Sequence, residues 1–466
     1  MKIRDIAFIH LGLLLCFTIS TILLCFVDKT DFVVTYNQIL LFVIYFWVLS
    51  AQILLNGLMH LFTIFLGGYF VFLLGQPFFD LIGVIDITKN CLFRYIELSN
   101  EIYVTTYTYS TFFLLFTFCG VLFGYKSNNK GKKIKEINYS PYLFSISIIF
   151  LFLALPGILT KYYIQIQVIL EKGYLAIYDG TLQQINYPLI CKGAGTLLII
   201  GYCIFISSKP SKKYFLIITA IFLLTQAVNV LKGQRAVLMF PFVFAIWFYF
   251  KFYVKNLSVT KLILIIMGVV VLGQAIQIFR SGEKYIKAVE EKSFTEKYVN
   301  SFFVQQGVSF FVFPYTLHYH VENDRYPYIL APLNIKSFNQ PQNMERLQQN
   351  NFVADQLMYK MDPKGYKIGL GTGSSILAVF YDLPHIIALL SATLFGFLIA
   401  RFEFFVRQSR GLLLFSYFIV FSVVASPRFE LFQLFYDFVM LGIAFIVINM
   451  LYLILQTQKR TSIENL

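Results

Sequence analysis

Three arginines stand at the ends of apolar segments, where a charged side chain needs an explanation. Arg235 lies in LKGQRA, Arg280 in IFRSGEK and Arg428 in ASPRFE. A guanidinium group beside hydrocarbon is costly, so such residues usually have a polar partner or face a cavity. Arginine binds phosphate through two parallel hydrogen bonds. The three arginines together are therefore predicted to bind a diphosphate group; the alternative is that each extends separately to lipid headgroups.

Two histidines are candidates for proton transfer. His318 and His320 lie one residue apart in LHYHVE. Imidazole titrates near neutral pH, so either side chain is a candidate general base. The alternative is a histidine at the membrane interface with a structural hydrogen bond. Asp324 and Arg325 follow closely and are assigned to the same pocket as supporting residues.

Glu430 lies two residues after Arg428 in the same short turn. A carboxylate so close to a guanidinium group is either its ion-pair partner or a base. We predict the ion pair, because charges near a membrane are usually paired.

The sequence lacks the usual patterns of metal and nucleotide sites. Its six cysteines lie mostly in apolar runs, without a CxxC or Cys/His ligand spacing. GLGTGSS (369–375) lacks the Gly-Lys-Ser/Thr ending of a phosphate-binding P-loop. The outer loops contain no DxD-like pair. We predict no metal and no cofactor.

The composition is that of a membrane protein. Hydrophobic residues make up 58% of the 466-residue chain, and the mean hydropathy is +0.70. A soluble domain could not bury so much apolar surface. The net charge of +14 is concentrated in short loops, where it sets topology and meets anionic lipid, so nucleic acid is not a predicted partner.

A membrane-spanning helix needs about twenty apolar residues. This predicts a single all-α domain over 1–466 with about twelve transmembrane helices. They lie near 6–27, 38–55, 58–75, 105–125, 140–159, 189–207, 214–231, 235–251, 261–279, 384–400, 411–425 and 431–455. The second and third form a tight hairpin, since Gln52, Asn56, Gly57 and His60 interrupt one long apolar stretch.

Lysine and arginine fall in every second loop, near 126–135, 209–213, 251–261 and 401–410. Short loops rich in these residues stay cytoplasmic, so both termini are predicted to be cytoplasmic. The large loop 280–383, between spans nine and ten, is then extracytoplasmic and should contain short amphipathic helices. Its run VSFFVFPYTL is too short to span and predicts a re-entrant or interfacial helix. Residues 160–188 predict an amphipathic segment on the membrane surface.

Five short motifs resemble the bacterial O-antigen and oligosaccharide repeat-unit polymerases of the Wzy type. They are EKGYLAIYDG (171–180), KGQRA (232–236), FRSGE (279–283), QQGVSFF (305–311) and GLGTGSSILAVFYD (369–382). Their order and membrane placement carry the resemblance. The sequence departs from the expected pattern near Tyr381, where Val379 stands in place of an acidic residue and Asp382 follows the tyrosine.

The resemblance implies an enzyme of the bacterial plasma (inner) membrane. Such enzymes join oligosaccharide units carried on polyprenyl diphosphate (undecaprenyl diphosphate) at the outer face, giving O-antigen, capsular polysaccharide or exopolysaccharide. The implied partners are this lipid-linked oligosaccharide, membrane lipid, and the chain-length regulator and flippase of the same pathway. In such a transfer, fixed guanidinium groups stabilise the departing diphosphate, and a base assists the attacking sugar hydroxyl.

Two other functions remain open. One is an O-antigen ligase, a related membrane glycosyltransferase that moves a finished chain to another acceptor. The other is a flippase for lipid-linked oligosaccharides, which is a transporter. Transporters usually have related halves and binding residues near mid-membrane. This chain has no internal sequence repeat and gathers its polar residues at the outer boundary, which favours an enzyme.

Overall fold

The computed structural model describes residues 3–87, 96–128, 137–172, 181–230, 236–254, 268, 301–321, 326–334 and 342–464. These residues form helices and no strands, so the all-α prediction is confirmed. The long apolar helices are α1 (Ile3–Leu24), α2 (Asp31–Asn56), α3 (Leu61–Leu81), α4 (Asn100–Asn128), α5 (Pro141–Lys172), α6 (Ala194–Ser207), α7 (Lys212–Val230) and α8 (Ala236–Phe252).

Short helices follow, and three long ones complete the chain. The short ones are α9 (Ser301–Gly307), α10 (Val312–His318), α11 (Met344–Gln349), α12 (Val353–Met361), α13 (Pro363–Lys367) and α14 (Ile376–Tyr381). The long ones are α15 (His385–Phe405), α16 (Arg410–Ala425) and α17 (Phe435–Glu464). Seven described helices are long and apolar enough to cross a membrane, and four more are apolar but shorter. The predicted ninth span lies outside the described residues, so a count of twelve stays a prediction.

Helices α4 and α15 make close backbone contact through two glycines. A Cβ atom at Gly120 would lie 1.8 Å from the carbonyl oxygen of Thr393, and one at Gly396 would lie 1.9 Å from that of Thr117. Small residues let membrane helices approach until their backbones touch. Any larger side chain at either position would separate the two helices.

The predicted hairpin of spans two and three is confirmed, and a buried carboxylate holds its turn. Glu403 of α15 accepts hydrogen bonds from the backbone N–H of Leu61 at 2.6 Å and from Nε1 of Trp247 at 2.8 Å. It also pairs with the Lys251 ammonium. These contacts join the start of α3 to the end of α8 and to α15.

The described residues at the edges of the basic loops lie together at one end of the helix bundle. Arg407 donates to the carbonyl oxygen of Lys251. Arg410 donates to the carbonyl oxygens of Ser207, at 3.3 Å, and Asn138, at 2.9 Å. Helix α16 has 16 residues, so it ends about 24 Å away from Arg410. The turn that follows Ala425 therefore lies at the opposite end from the basic loops.

Helix α5 is longer than predicted. It has 32 residues, or about 48 Å, against about 30 Å of hydrocarbon in a bilayer. The predicted span ended near residue 159, and a separate surface segment was expected over 160–188. That boundary is wrong: residues 160–172 continue the helix, because no helix-breaking residue follows Gly157 before Gly173.

The apolar run VSFFVFPYTL forms a 3-10 turn (Val308–Phe311) and helix α10. The run is buried, and its rings contact α4. Phe310 stacks on Tyr107, with ring centres 6.0 Å apart, and Phe313 lies 5.4 Å from Tyr109. The segment packs inside the protein, and its position relative to the membrane, re-entrant or interfacial, stays a prediction.

Candidate functional site

The turn between α16 and α17 fixes Arg428 at the end of the bundle opposite the basic loops. The backbone N–H groups of Arg428 and Phe429 both donate to the carbonyl oxygen of Ala425, at 2.9 Å. The Arg428 side chain donates through Nη1 to Oε1 of Gln306 in α9, at 2.6 Å. Its guanidinium carbon lies 5.6 Å from the ring centre of Phe72. A charge-assisted hydrogen bond and a cation–π contact thus orient the guanidinium group.

A distorted turn in α3 places Phe72 under Arg428. Residues Phe70–Leu74 form a π-helical turn, a feature often found at functional sites. Just after it, Gln76 donates through Nε2 to the carbonyl oxygen of Val304, at 2.6 Å. A Cβ atom at Gly307 would lie 2.6 Å from Cγ of Gln76, so α9 packs closely on α3. This packing fixes Gln306, and through it Arg428.

The GLGTGSS segment meets the same turn through its backbone. The N–H of Ser374 donates to the carbonyl oxygen of Arg428, at 3.0 Å. Gly373 has a φ of +76°, a conformation that glycine adopts without strain. A Cβ atom at Gly373 would also lie 3.4 Å from the Arg428 carbonyl oxygen. The glycine turn is therefore part of the site, although its sequence is not that of a phosphate-binding P-loop.

Glu430 is buried, with 8% of its surface exposed. Its carboxyl group faces the Ser374 hydroxyl and the backbone N–H groups of Val353 and Ala354, at the N-terminus of α12. Among the described residues neither carboxyl oxygen forms a hydrogen bond. The pKa of Glu430 is raised to about 8, mainly by burial and also by the nearby Asp355 charge, while the Ser374 hydroxyl and the two N–H groups act to lower it.

The predicted ion pair between Arg428 and Glu430 is not formed. Arg428 donates to Gln306, whereas Glu430 points toward α12 and the glycine turn. The two side chains leave the short turn in different directions, because they pack against different elements. Glu430 is therefore available for another role.

A buried ion pair supports the far wall of the site. Nε of Arg346 lies 2.8 Å from Oδ2 of Asp355, and Nη2 lies 3.3 Å from Oδ1. Gln342 donates to the same Oδ1 atom at 3.3 Å. Asp355 is 1% exposed. The pair balances the Asp355 charge and ties α11 to the first turn of α12, on which Glu430 packs.

The two predicted histidines lie at the end of α10. His318 is half-buried with its ring beside Tyr319, and His320 is exposed. His320 has a φ of +46°, and its carbonyl oxygen accepts a hydrogen bond from Lys360. In the described part of the chain, neither histidine makes a hydrogen bond or an ion pair with Arg428 or Glu430.

Four predicted site residues lie outside the described residues: Arg235, Arg280, Asp324 and Arg325. Their place in the site stays a prediction. Asp382, which follows Tyr381, accepts a hydrogen bond from the backbone N–H of Tyr328 at 2.9 Å. This acidic side chain therefore has a structural contact that joins α14 to the 3-10 turn Tyr328–Leu333.

The sequence analysis missed Gln306, Phe72 and Asp355. Gln306 belongs to QQGVSFF, so its motif was noticed without a role for the side chain. Phe72 lies in a uniformly apolar span, and Asp355 in a polar loop. No local pattern distinguishes either residue from its neighbours.

Comparison with known proteins gives one match over nearly the whole chain. The family model described as O-antigen polysaccharide polymerase Wzy matches residues 6–460. No curated protein and no solved structure matches the chain. The matched range includes every residue of the site described above.

Proposed function

The chain belongs to the O-antigen polysaccharide polymerase Wzy family, and we propose that it joins lipid-linked repeat units at the outer face of the bacterial plasma membrane. The growing chain leaves its polyprenyl diphosphate and is transferred to the terminal sugar of a new unit. The product is an O-antigen, a capsular polysaccharide or an exopolysaccharide. This makes the protein a membrane glycosyltransferase with both termini in the cytoplasm.

The observation that carries this proposal is the fixed guanidinium group of Arg428. Cleavage between a sugar and its diphosphate leaves negative charge on the departing lipid diphosphate. A preoriented cation in a site of low dielectric constant stabilises that charge without having to reorganise. Gln306 and Phe72 hold Arg428 in this way, at the end of the bundle opposite the basic loops.

Arg235 and Arg280 complete the proposed diphosphate clamp. Both end apolar segments on the same predicted side as Arg428. Three guanidinium groups can neutralise a diphosphate through bidentate hydrogen bonds. His318 and His320 remain the sequence-based candidates for the base, with Asp324 and Arg325 in support.

A deletion strain tests the function. Cells without this protein should still make and export the lipid-linked repeat unit, but should carry single units or none in place of long chains. The reason is that the proposed site acts only on units that have already crossed the membrane. Chain length is read on gels, and sidedness by access of an external glycosidase or lectin.

The same experiment separates the other two functions. Loss of a ligase leaves long chains attached to polyprenyl diphosphate. Loss of a flippase leaves single units on the cytoplasmic leaflet, where the external reagent cannot reach them. Either result in the deletion strain would overturn the polymerase assignment.

A further inference from the structure

Buried polar atoms of Glu430 and of the glycine turn lack hydrogen-bond partners among the described residues. In the part of the chain that the structure describes, both Glu430 carboxyl oxygens and the hydroxyls of Ser374 and Ser375 form no hydrogen bond. Buried polar groups in native proteins are nearly always hydrogen-bonded, so such a group needs an explanation. A polar ligand that supplies the missing donors and acceptors is one.

The position of Glu430 points to the reacting atoms. Only Phe429 separates it from Arg428 along the chain, so the Cα atoms of Arg428 and Glu430 lie at most about 7 Å apart. The Arg428 carbonyl oxygen binds the N–H of Ser374, and the Ser374 hydroxyl faces Glu430. The turn reaches the surface at Gly371, which is exposed, and Arg428 is half-buried. A carboxyl group and a guanidinium group thus belong to one rigid unit near solvent.

We propose that Glu430 accepts the proton from the sugar hydroxyl that attacks in the transfer reaction; this rests on the proposed function. The hydroxyl oxygen of the new unit forms a bond to the anomeric carbon of the growing chain. The bond from that carbon to the diphosphate oxygen breaks, and the electron pair leaves with the diphosphate. The hydroxyl proton moves to the Glu430 carboxylate and is then released to water, which restores the base.

The charged groups around Glu430 fit this role. Asp355 faces it from α12, and Arg346 holds the Asp355 charge in an ion pair at 2.8 Å. Arg428 precedes it in the turn but binds Gln306. No described cation pairs with the carboxyl group, so the proton affinity of Glu430 is not reduced by an ion pair. A general base whose pKa lies near the pH of the reaction is partly deprotonated and still binds a proton strongly.

The test uses the full-length protein in lipid nanodiscs. The substrate is the lipid-linked oligosaccharide extracted from the deletion strain, and the rate of chain elongation is measured from pH 6 to pH 9. With the pKa of Glu430 at about 8, the wild-type rate should rise roughly tenfold per pH unit well below pH 8 and level off above it. Glu430→Gln keeps the shape of the side chain but cannot accept a proton. We expect a loss of about 10²- to 10⁴-fold and a flat pH profile.

Two further variants separate chemistry from folding. Glu430→Asp keeps a carboxyl group and should keep a pH-dependent, slower reaction. Glu345→Gln changes an exposed carboxyl group on α11 and should leave the rate unchanged. Thermal unfolding of each variant in the nanodisc shows whether the protein remains folded.

The outcomes distinguish this proposal from the function on which it rests. If the wild-type protein makes no polymer from the extract, the polymerase function fails. If it makes polymer and folded Glu430→Gln matches its rate and pH profile, only the role of Glu430 is wrong. If folded His318→Ala or His320→Ala loses the pH dependence while Glu430→Gln keeps it, the base is a histidine instead.

Discussion

Replacing Glu403 by alanine tests the contact that holds the α2–α3 hairpin against α8 and α15. The Glu403 carboxylate accepts N–H groups from Leu61, at 2.6 Å, and Trp247, at 2.8 Å, and pairs with Lys251. Glu403 is 4% exposed, and Trp247 is fully buried. The substitution therefore leaves two N–H donors and one cation without their shared acceptor.

The expected loss of stability is about 3–6 kcal/mol. A buried donor left without a partner costs about 1–3 kcal/mol, and two donors are affected here. Breaking a fully buried ion pair costs about 3–5 kcal/mol. The unpaired Lys251 ammonium should contribute a smaller loss of stability than this, because the Lys251 side chain is 19% exposed and can extend toward water. Glu403→Gln keeps an acceptor for the two N–H groups, so it should lose less than Glu403→Ala.

Unfolding of the purified protein in detergent micelles, titrated with sodium dodecyl sulfate and followed by circular dichroism, measures these losses. Glu345→Ala, which removes an exposed carboxyl group, is the matched control and should lie within about 0.5 kcal/mol of wild type. Wild-type stability in Glu403→Ala would refute the reasoning, since it would mean that the hairpin turn is held by other contacts.

Two further predictions concern the site and the topology. Arg428→Ala should reduce polymer about 10²- to 10³-fold without loss of protein from the membrane, and lysine should restore little, since it lacks the planar fork. Normal polymer in Arg428→Ala, Arg235→Ala and Arg280→Ala alike would rule out the diphosphate clamp. In a cysteine-free background, a cysteine at Ser337 should react with an impermeant thiol reagent in whole cells, and one at Asn129 should not. The reverse labelling would invert the proposed orientation.

From the sequence, Arg428 could be identified only as one of three candidate arginines for the proposed diphosphate clamp. Arg428 was identified because charge at the end of an apolar helix is unusual. Its partner Gln306 lies 122 positions away, in helix α9. Likewise, the nearness of Glu430 to Arg428 along the chain suggested an ion pair, yet Glu430 packs on α12 instead. Short separation along the chain does not determine which way two side chains point.

The sequence by itself determined the all-α class, most of the described long helices, the hairpin and the grouping of the described basic residues Lys251, Arg407 and Arg410. Each depends on local composition: an apolar run must form a helix in lipid, and lysine or arginine keeps a short loop on one side. Only the tertiary structure decided which helix faces meet. Glu403 joins Leu61 across 342 positions, and Arg428 meets Phe72 over a π-helical turn. Such contacts depend on how whole helices pack, and uniformly apolar spans carry little periodic signal of that packing, because lipid and protein interior are almost equally apolar.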